Sequence, residues 1–397
     1  MTLDRTTTTA PDVGPDLLSR LFARRLGVPA DASPDDLARL PRGGGVVALA
    51  TDNGALVQLL TAGSVRRVAA SRLAPPADDA PSRRARLAGV VRQVWWQPAH
   101  SAFEAHWLYL QRARQLLGRD YAKSLGFGPV WYAALDLTAD HPRWTPSSAL
   151  PPAGTTVAGP FTTRKRCAAL IADLEDLFDL CRYHEELVRA PHGTRCAYFD
   201  MGKCPAPCDG TVSLDAYRRQ LEASAAFATT DGAAFIAQQQ AAMQRHAANL
   251  AFERAQRCRD ALARAQAAQE MRSRWARTPD AFRCLIVQRG ARRNTLRPFF
   301  CTIAGIVSGP DVRVADVSAA AAEWTQRLAA SDKRSDISMT YRSECQALVA
   351  HYLGKGEKAS GVYLTSPDAW HGETVVARVE ARFSRASRAA DPPPAGG

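Results

Sequence analysis

The chain has 397 residues, enough for two or three domains that each bury a core, and no apolar run in it reaches the length of a membrane-spanning helix. Its formal charge of +12 and pI near 9.5 point to a polyanionic partner. Nucleic acid comes first, with an Arg- and Ala-rich, generally basic proteome as the competing source of the charge. The opening residues MTLDRTTTTAPDVG hold no signal-peptide apolar stretch, so the expectation is a cytoplasmic chain without membrane contact. In that compartment cysteines serve metals more often than disulfides.

Residues 1–32 read as a flexible segment, disordered to residue 14, with one short amphipathic helix carrying Leu17, Leu18, Leu21, Phe22 and Leu26. Residues 33–140 form the first folded unit. SPDDLARLPRGGG is a capped helical turn ending at glycines, and residues 46–50 and 55–60 pair as a hairpin across Asp52-Asn53-Gly54. A helix bearing Arg66 follows, then a longer one over HSAFEAHWLYLQRARQLLGRDY and a strand over residues 131–137. Pro142, Pro146, Pro151 and Pro152 read as a linker.

Residues 155–212 form a second unit. TTRKRCAALIADLEDLFDL is an amphipathic helix with Leu170, Leu174, Leu177 and Phe178 on one face. Arg164, Lys165 and Arg166 open it, against the sense of the helix dipole, which suits either an anionic partner such as phosphate or a solvated face. Next, Cys181, Cys196, Cys204 and Cys208 are spaced C-x14-C-x7-C-x3-C, so four of the nine cysteines share one Pro- and Gly-rich window. Four thiolates fill a zinc or an iron–sulfur site; buried packing thiols are the alternative. The prolines between Cys204 and Cys208 keep that segment out of a helix.

Residues 213–272 lack proline and are rich in Ala, Gln, Leu and Arg, which predicts helix throughout, folded back near Asn249. Phe235, Ile236, Met243 and Leu250 are expected to face Phe252, Ala255, Cys258 and Leu262. Residues 280–385 form an α+β unit: strands over FRCLIVQRG, RPFFCTIAGIVSG and DVRVAD, helices over 319–330 and 338–353, a strand over 361–364 and a helix over 373–384. Arg292 and Arg293 lie in the turn between the first two strands and are candidate phosphate contacts. His351 and His371 read as ordinary polar residues. Residues 386–397 are a disordered tail.

These residues carry a resemblance. GPF at 159–161, then Tyr198, Gly202, Cys204, Ala206, Pro207, Cys208 and Gly210, then DGTVSLDAYRRQ, resemble the central segment of UvrC, the nuclease subunit of bacterial nucleotide excision repair. The resemblance implies a 4Fe-4S cluster at Cys181, Cys196, Cys204 and Cys208; spacing alone leaves zinc open. Asn249, Leu250, Phe252 and Glu253, followed by Ala255, Arg259 and Asp260, resemble the UVR motif shared by UvrB and UvrC. That implies a hairpin binding a UvrB-like partner, with DNA as the other partner.

The order of elements in residues 33–140 resembles the GIY-YIG nuclease domain at the UvrC N-terminus. There the motif triplets become Gly45-Val46-Val47 and Gln58-Leu59-Leu60, so both motif tyrosines and the second glycine are missing. Arg66 falls where the family has its catalytic arginine, Tyr109 where it has the metal-holding glutamate, and Tyr121 at the asparagine. Glu104, one and a half helical turns before Tyr109, faces away from it. A divalent ion has no carboxylate at the expected place, so the expectation is a scaffold without normal incision chemistry. Two alternatives stay open: a single-incision UvrC-type nuclease using Glu104, and a zinc-stabilised interaction module with no DNA role. UvrC's RNase H-like and helix-hairpin-helix parts have no counterpart in residues 280–397. The expected fold is therefore α+β, with a degenerate GIY-YIG-like domain, a cysteine knuckle, a UVR hairpin and a C-terminal α+β domain.

Overall fold

The computed structural model describes residues 14–30, 32–73, 87–271, 278–330, 337–365 and 371–388. Helix α1 (Pro15–Leu21) begins with proline at its first position and stops where Phe22 turns extended. Leu26, expected on that helix, lies instead in strand β1 (Arg24–Gly27), opposite Val94. Ser33 caps α2 (Pro34–Leu37) in a reciprocal capping box with Asp36, as the sequence signature implies.

Strands β2 (Gly45–Ala50), β3 (Leu56–Ala62) and β4 (Gln93–Pro98) complete an antiparallel sheet in the order β1-β4-β2-β3. All six residues of β2 are buried. A strand covered on both faces reads as a continuous apolar run rather than an alternation. Val46, Ala48 and Ala50 enter one core with helix α4 (Ala102–Leu116), while Val47 and Leu49 enter another with helix α3 (Val65–Leu73). Gly45 is obligatory, since a Cβ there would lie 2.3 Å from the carbonyl oxygen of Gln97.

The proline-rich stretch is not a linker. Strands β5 (Trp131–Leu135), β6 (Trp144–Ser147) and β7 (Thr156–Phe161) form a sheet in the order β6-β5-β7, and Pro146 pairs with Ala133. An edge strand tolerates a proline because one side of it carries no ladder to break. Helix α5 (Arg164–Leu177) buries Cys167, Leu170, Ile171 and Leu174, and Thr163 caps it by accepting from the Arg166 N–H at 3.2 Å. The cysteine window then runs through two single turns, α6 (His184–Leu187) and α7 (Ala197–Asp200). Helices α8 (Leu214–Thr229), α9 (Ala233–Ala248) and α10 (Phe252–Met271) follow.

Strands β8 (Cys284–Arg289), β9 (Thr295–Thr302), β10 (Gly305–Ser308) and β12 (Val362–Leu364) lie in the order β10-β9-β8-β12, and β11 (Val312–Arg313) adds to β9. Helices α11 (Val317–Ala329) and α13 (Gly372–Arg388) pack on one face of this sheet. The other face meets α12 (Met339–Leu353) and, from the far end of the sequence, α4. Phe103 contacts Phe299 and Tyr352 edge to face, with ring centroids 5.3 Å apart in both pairs. The N-terminal and C-terminal sheets thus share one core through α4. No helix among the described residues is long and apolar enough to cross a membrane. The N-terminal segment to residue 13 and the tail from residue 389 lie outside the described residues.

Candidate nucleic-acid interface and thiol cluster

Three of the four window thiols are buried together. Cys181, Cys204 and Cys208 are 8%, 7% and 3% exposed. Between the last two, Ala206 takes a left-handed backbone (φ 56°) that turns the chain back on itself. The Cys181 backbone N–H donates to the Tyr217 hydroxyl at 3.1 Å, which ties the window to α8. The Cys181 thiol donates to the Tyr183 carbonyl at 3.5 Å, and the interaction between Cys181 and Cys204 holds Cys204 below the ordinary thiol range and Cys181 above it. The Ala206 N–H and the nearby Arg182 charge favour the Cys204 thiolate further. Donor type and burial therefore fit a thiolate-bound group at these three residues. Cys196, half-exposed at the start of α7, forms no hydrogen bond through its thiol among the described residues, and no set of three ligand side chains there stands at metal-holding spacing.

The positions aligned with nuclease motifs do not converge. Val47, and Gln58 opposite Leu49, lie on the α3 side of the first sheet, whereas Tyr109 is buried on the α4 side beneath the C-terminal sheet. Tyr121 donates to Glu344, which also pairs with Arg114. Glu104 is only 4% exposed and both its oxygens are used: one accepts from Arg297, the other from the His100 N–H at 2.7 Å. It is a structural carboxylate, and the single-incision alternative that relied on it has no free ligand there. Arg297 also reaches Asp311 at 2.6 Å, so of the arginines around that turn it faces inward while Arg292 and Arg293 are exposed.

Arg66 sits at the start of α3, its Nε donating to the Leu40 carbonyl at 2.8 Å. With Arg42, Arg67, Gly63 and Ser64 it lines an open cleft of about 710 Å³ that has no carboxylate in its wall among the described residues. Gly63 also borders a neighbouring cleft of about 280 Å³ containing Thr61, His100, Ser101 and His106. The first amides of α3 are already bonded to Pro41, Gly43 and Ser64, so an anion in the larger cleft is met by side chains. Sequence reading found Arg66 but missed Arg42, Arg67 and His106; the glycine run 43–45 and Gly63, which leave these strand ends bare, were the available signal. His106 accepts from or donates to the Tyr352 hydroxyl at 2.7 Å, and burial, followed by the charges of Lys355 and His351, holds it below its ordinary value. Arg164, Lys165 and Arg166 are exposed at the start of α5, with Arg164 lying 5.9 Å from the Trp131 ring centroid.

The fold-back expected near Asn249 is formed, but its apolar tip does not close on itself. Leu250 (φ 54°) and Phe252 are 73% and 67% exposed, and no residue of α9 is buried. At the base, Phe235 packs on the rings of Phe178 and Phe227, in a core that also holds Ala265 and Ala268 of α10. Arg259 and Asp260 both bond Gln256 on the exposed face of α10.

Residues 130–227, which contain the three-stranded sheet, α5 and the whole cysteine window, match the family model of the UvrC/Cho excinuclease middle domain. The chain carries a UvrC-like middle domain. It is 29% identical over 133 residues to UvrABC system protein C of Natronomonas pharaonis, a match covering 33% of this chain and 23% of that protein. It is 30% identical over 104 residues to UvrABC system protein C of Syntrophotalea carbinolica, covering 26% and 17%. For UvrABC system protein C of Haloquadratum walsbyi the figures are 31% over 115 residues, 28% and 19%. The chain thus spans about a fifth of the length of these curated relatives. No solved structure matches it significantly.

Proposed function

We propose that the chain is a UvrC-related protein of nucleotide excision repair that binds DNA and a UvrB-like partner, carries a 4Fe-4S cluster and does not make the family's GIY-YIG incision. The observation that carries this reading is the coincidence of the UvrC-like middle domain with the buried thiol cluster. Cys181, Cys204 and Cys208 would hold the cluster, and Cys196 is the proposed fourth ligand. When bound, such a cluster supplies a redox-capable, thiolate-tied brace for a window with little regular structure. Zinc is the competing occupant of the same thiolates, and would stabilise an interaction module.

DNA binding is supported by the exposed arginines: the Arg42, Arg66 and Arg67 cleft, Arg164 to Arg166 on α5, and Arg292 with Arg293. Partner binding is supported by the uncovered apolar tip at Leu250 and Phe252, with Asn249, Glu253, Arg259 and Asp260 around it. The absence of incision is supported by the pairing of Glu104 and the burial of Tyr109, which leave no open carboxylate for a divalent ion where the nuclease needs one.

Anaerobic purification with a visible spectrum and iron and zinc analysis tests the cluster. The expected protein is brown and contains iron, and Cys204→Ser loses both colour and solubility. A colourless, zinc-free protein with titratable thiols in the window contradicts it.

A further inference from the structure

Turns α6 and α7 bring aromatic rings to the surface of the cysteine window. Tyr183 is 52% exposed and its ring centroid lies 6.0 Å from that of Tyr198. Beneath Tyr198, at 4.4 Å from its centroid, lies the Arg182 guanidinium, fixed by the carbonyls of Leu180 and Lys203 and by Asp176. On the same turn Arg195 stacks 4.9 Å from the Phe199 centroid, and Met201 is 62% exposed. Rings backed by a fixed cation on one side offer a rigid π-face on the other. Of the other charges on the ridge, Arg189 pairs with Glu186 at 2.9 Å and Arg195 with Asp209 at 4.0 Å, while the carboxylates of Glu185 and Asp200 are exposed and would repel a phosphate laid directly on it. The ridge is therefore built to meet flat, uncharged groups, in a molecule whose net charge of +12 draws in polyanions.

We infer that this ridge is a stacking platform for the unpaired bases of single-stranded DNA, with Tyr183 as the outermost ring. The inference rests on the DNA-binding reading above and adds which form of DNA the cysteine window takes and how. Stacking of bases on aromatic side chains is tolerant of sequence and needs no phosphate contact from the platform itself. The phosphates are left to the arginines elsewhere.

Fluorescence anisotropy with labelled oligothymidylate and with a blunt duplex of equal length tests the platform on the full chain. Tyr183→Ala is expected to weaken oligothymidylate binding by about tenfold, the effect of one lost base stack, with duplex affinity and the salt slope unchanged. Tyr183→Phe restores binding. Tyr183→Leu, which keeps the apolar bulk and so guards against misfolding, gives the same loss as alanine. Wild-type oligothymidylate affinity in Tyr183→Ala and Tyr183→Leu overturns the platform, as does a parallel fall for duplex and single strand. If oligothymidylate binding is unaffected while retention of a UvrB-like protein is lost, the ridge is a protein-binding surface and the inference fails. If the wild type binds neither DNA, the DNA-binding reading fails with it; if only the Tyr183 variants are silent, that reading survives alone.

Discussion

Glu104 shows how the same residue changes meaning between sequence and structure. In the sequence it is the carboxylate nearest to a missing metal ligand; in the folded chain its two oxygens are taken by Arg297 and the His100 N–H. The partner lies far along the chain, and no local spacing announces it. The cysteines were more legible, because clustering within a Pro- and Gly-rich window survives as three buried, interacting thiols. His106 was not legible, since its surroundings come from α12. Burial, helped by Lys355 and His351, lowers its pKa from 6.5, so the neutral ring is the form the fold prefers. The stability this represents is present above pH 6.5 and is lost as pH falls through the lowered folded value, where the fold must bury a charged ring. Melting temperature should accordingly fall as pH is lowered below 6.5, and less so in His106→Gln. An identical pH dependence in the variant would remove His106 from the account.

At the scale of elements, periodicity and caps located what is locally determined. The hairpin of β2 and β3, the Ser33 capping box and helices α4, α5 and α12 all follow from apolar spacing and their end signals. The prolines between β5 and β7 misled, because a sheet edge accepts Pro146 and only the sheet order reveals the edge. The α9–α10 fold-back was also readable, from Asn249 and its neighbours, but the inward packing expected for Phe252 was not found. This sharpens the test of the hairpin. Since Phe252 is 67% exposed, Phe252→Ala should change stability by no more than about 0.5 kcal/mol. It should nevertheless abolish co-purification of a UvrB-like protein, as loss of an aromatic interface anchor costs about 2 kcal/mol or more. Retained co-purification, or a large drop in melting temperature, contradicts an interface role.

Across the whole molecule, the N-terminal and C-terminal sheets are joined through α4 into one core, which composition shifts along the chain gave no means of seeing. The Arg297 bridge to Glu104 and Asp311 lies at that junction. Arg297→Ala leaves a carboxylate only 4% exposed without its counter-ion, a change that costs about 3–5 kcal/mol when a buried pair is broken. Denaturant unfolding should show that loss in a transition common to both sheets. A loss below about 1 kcal/mol would mean that the junction bears little of the stability. The same junction buries Tyr109 and occupies Glu104, so it also underlies the expected lack of incision.

The most direct test is incubation of the purified chain with lesion-bearing duplex and magnesium or manganese, scoring binding and strand breakage in the same samples. The account predicts a complex that weakens steeply with salt, as counterion release from phosphate requires, and no nicking above background. Metal-dependent nicking by the wild type that disappears in Glu104→Gln would contradict it.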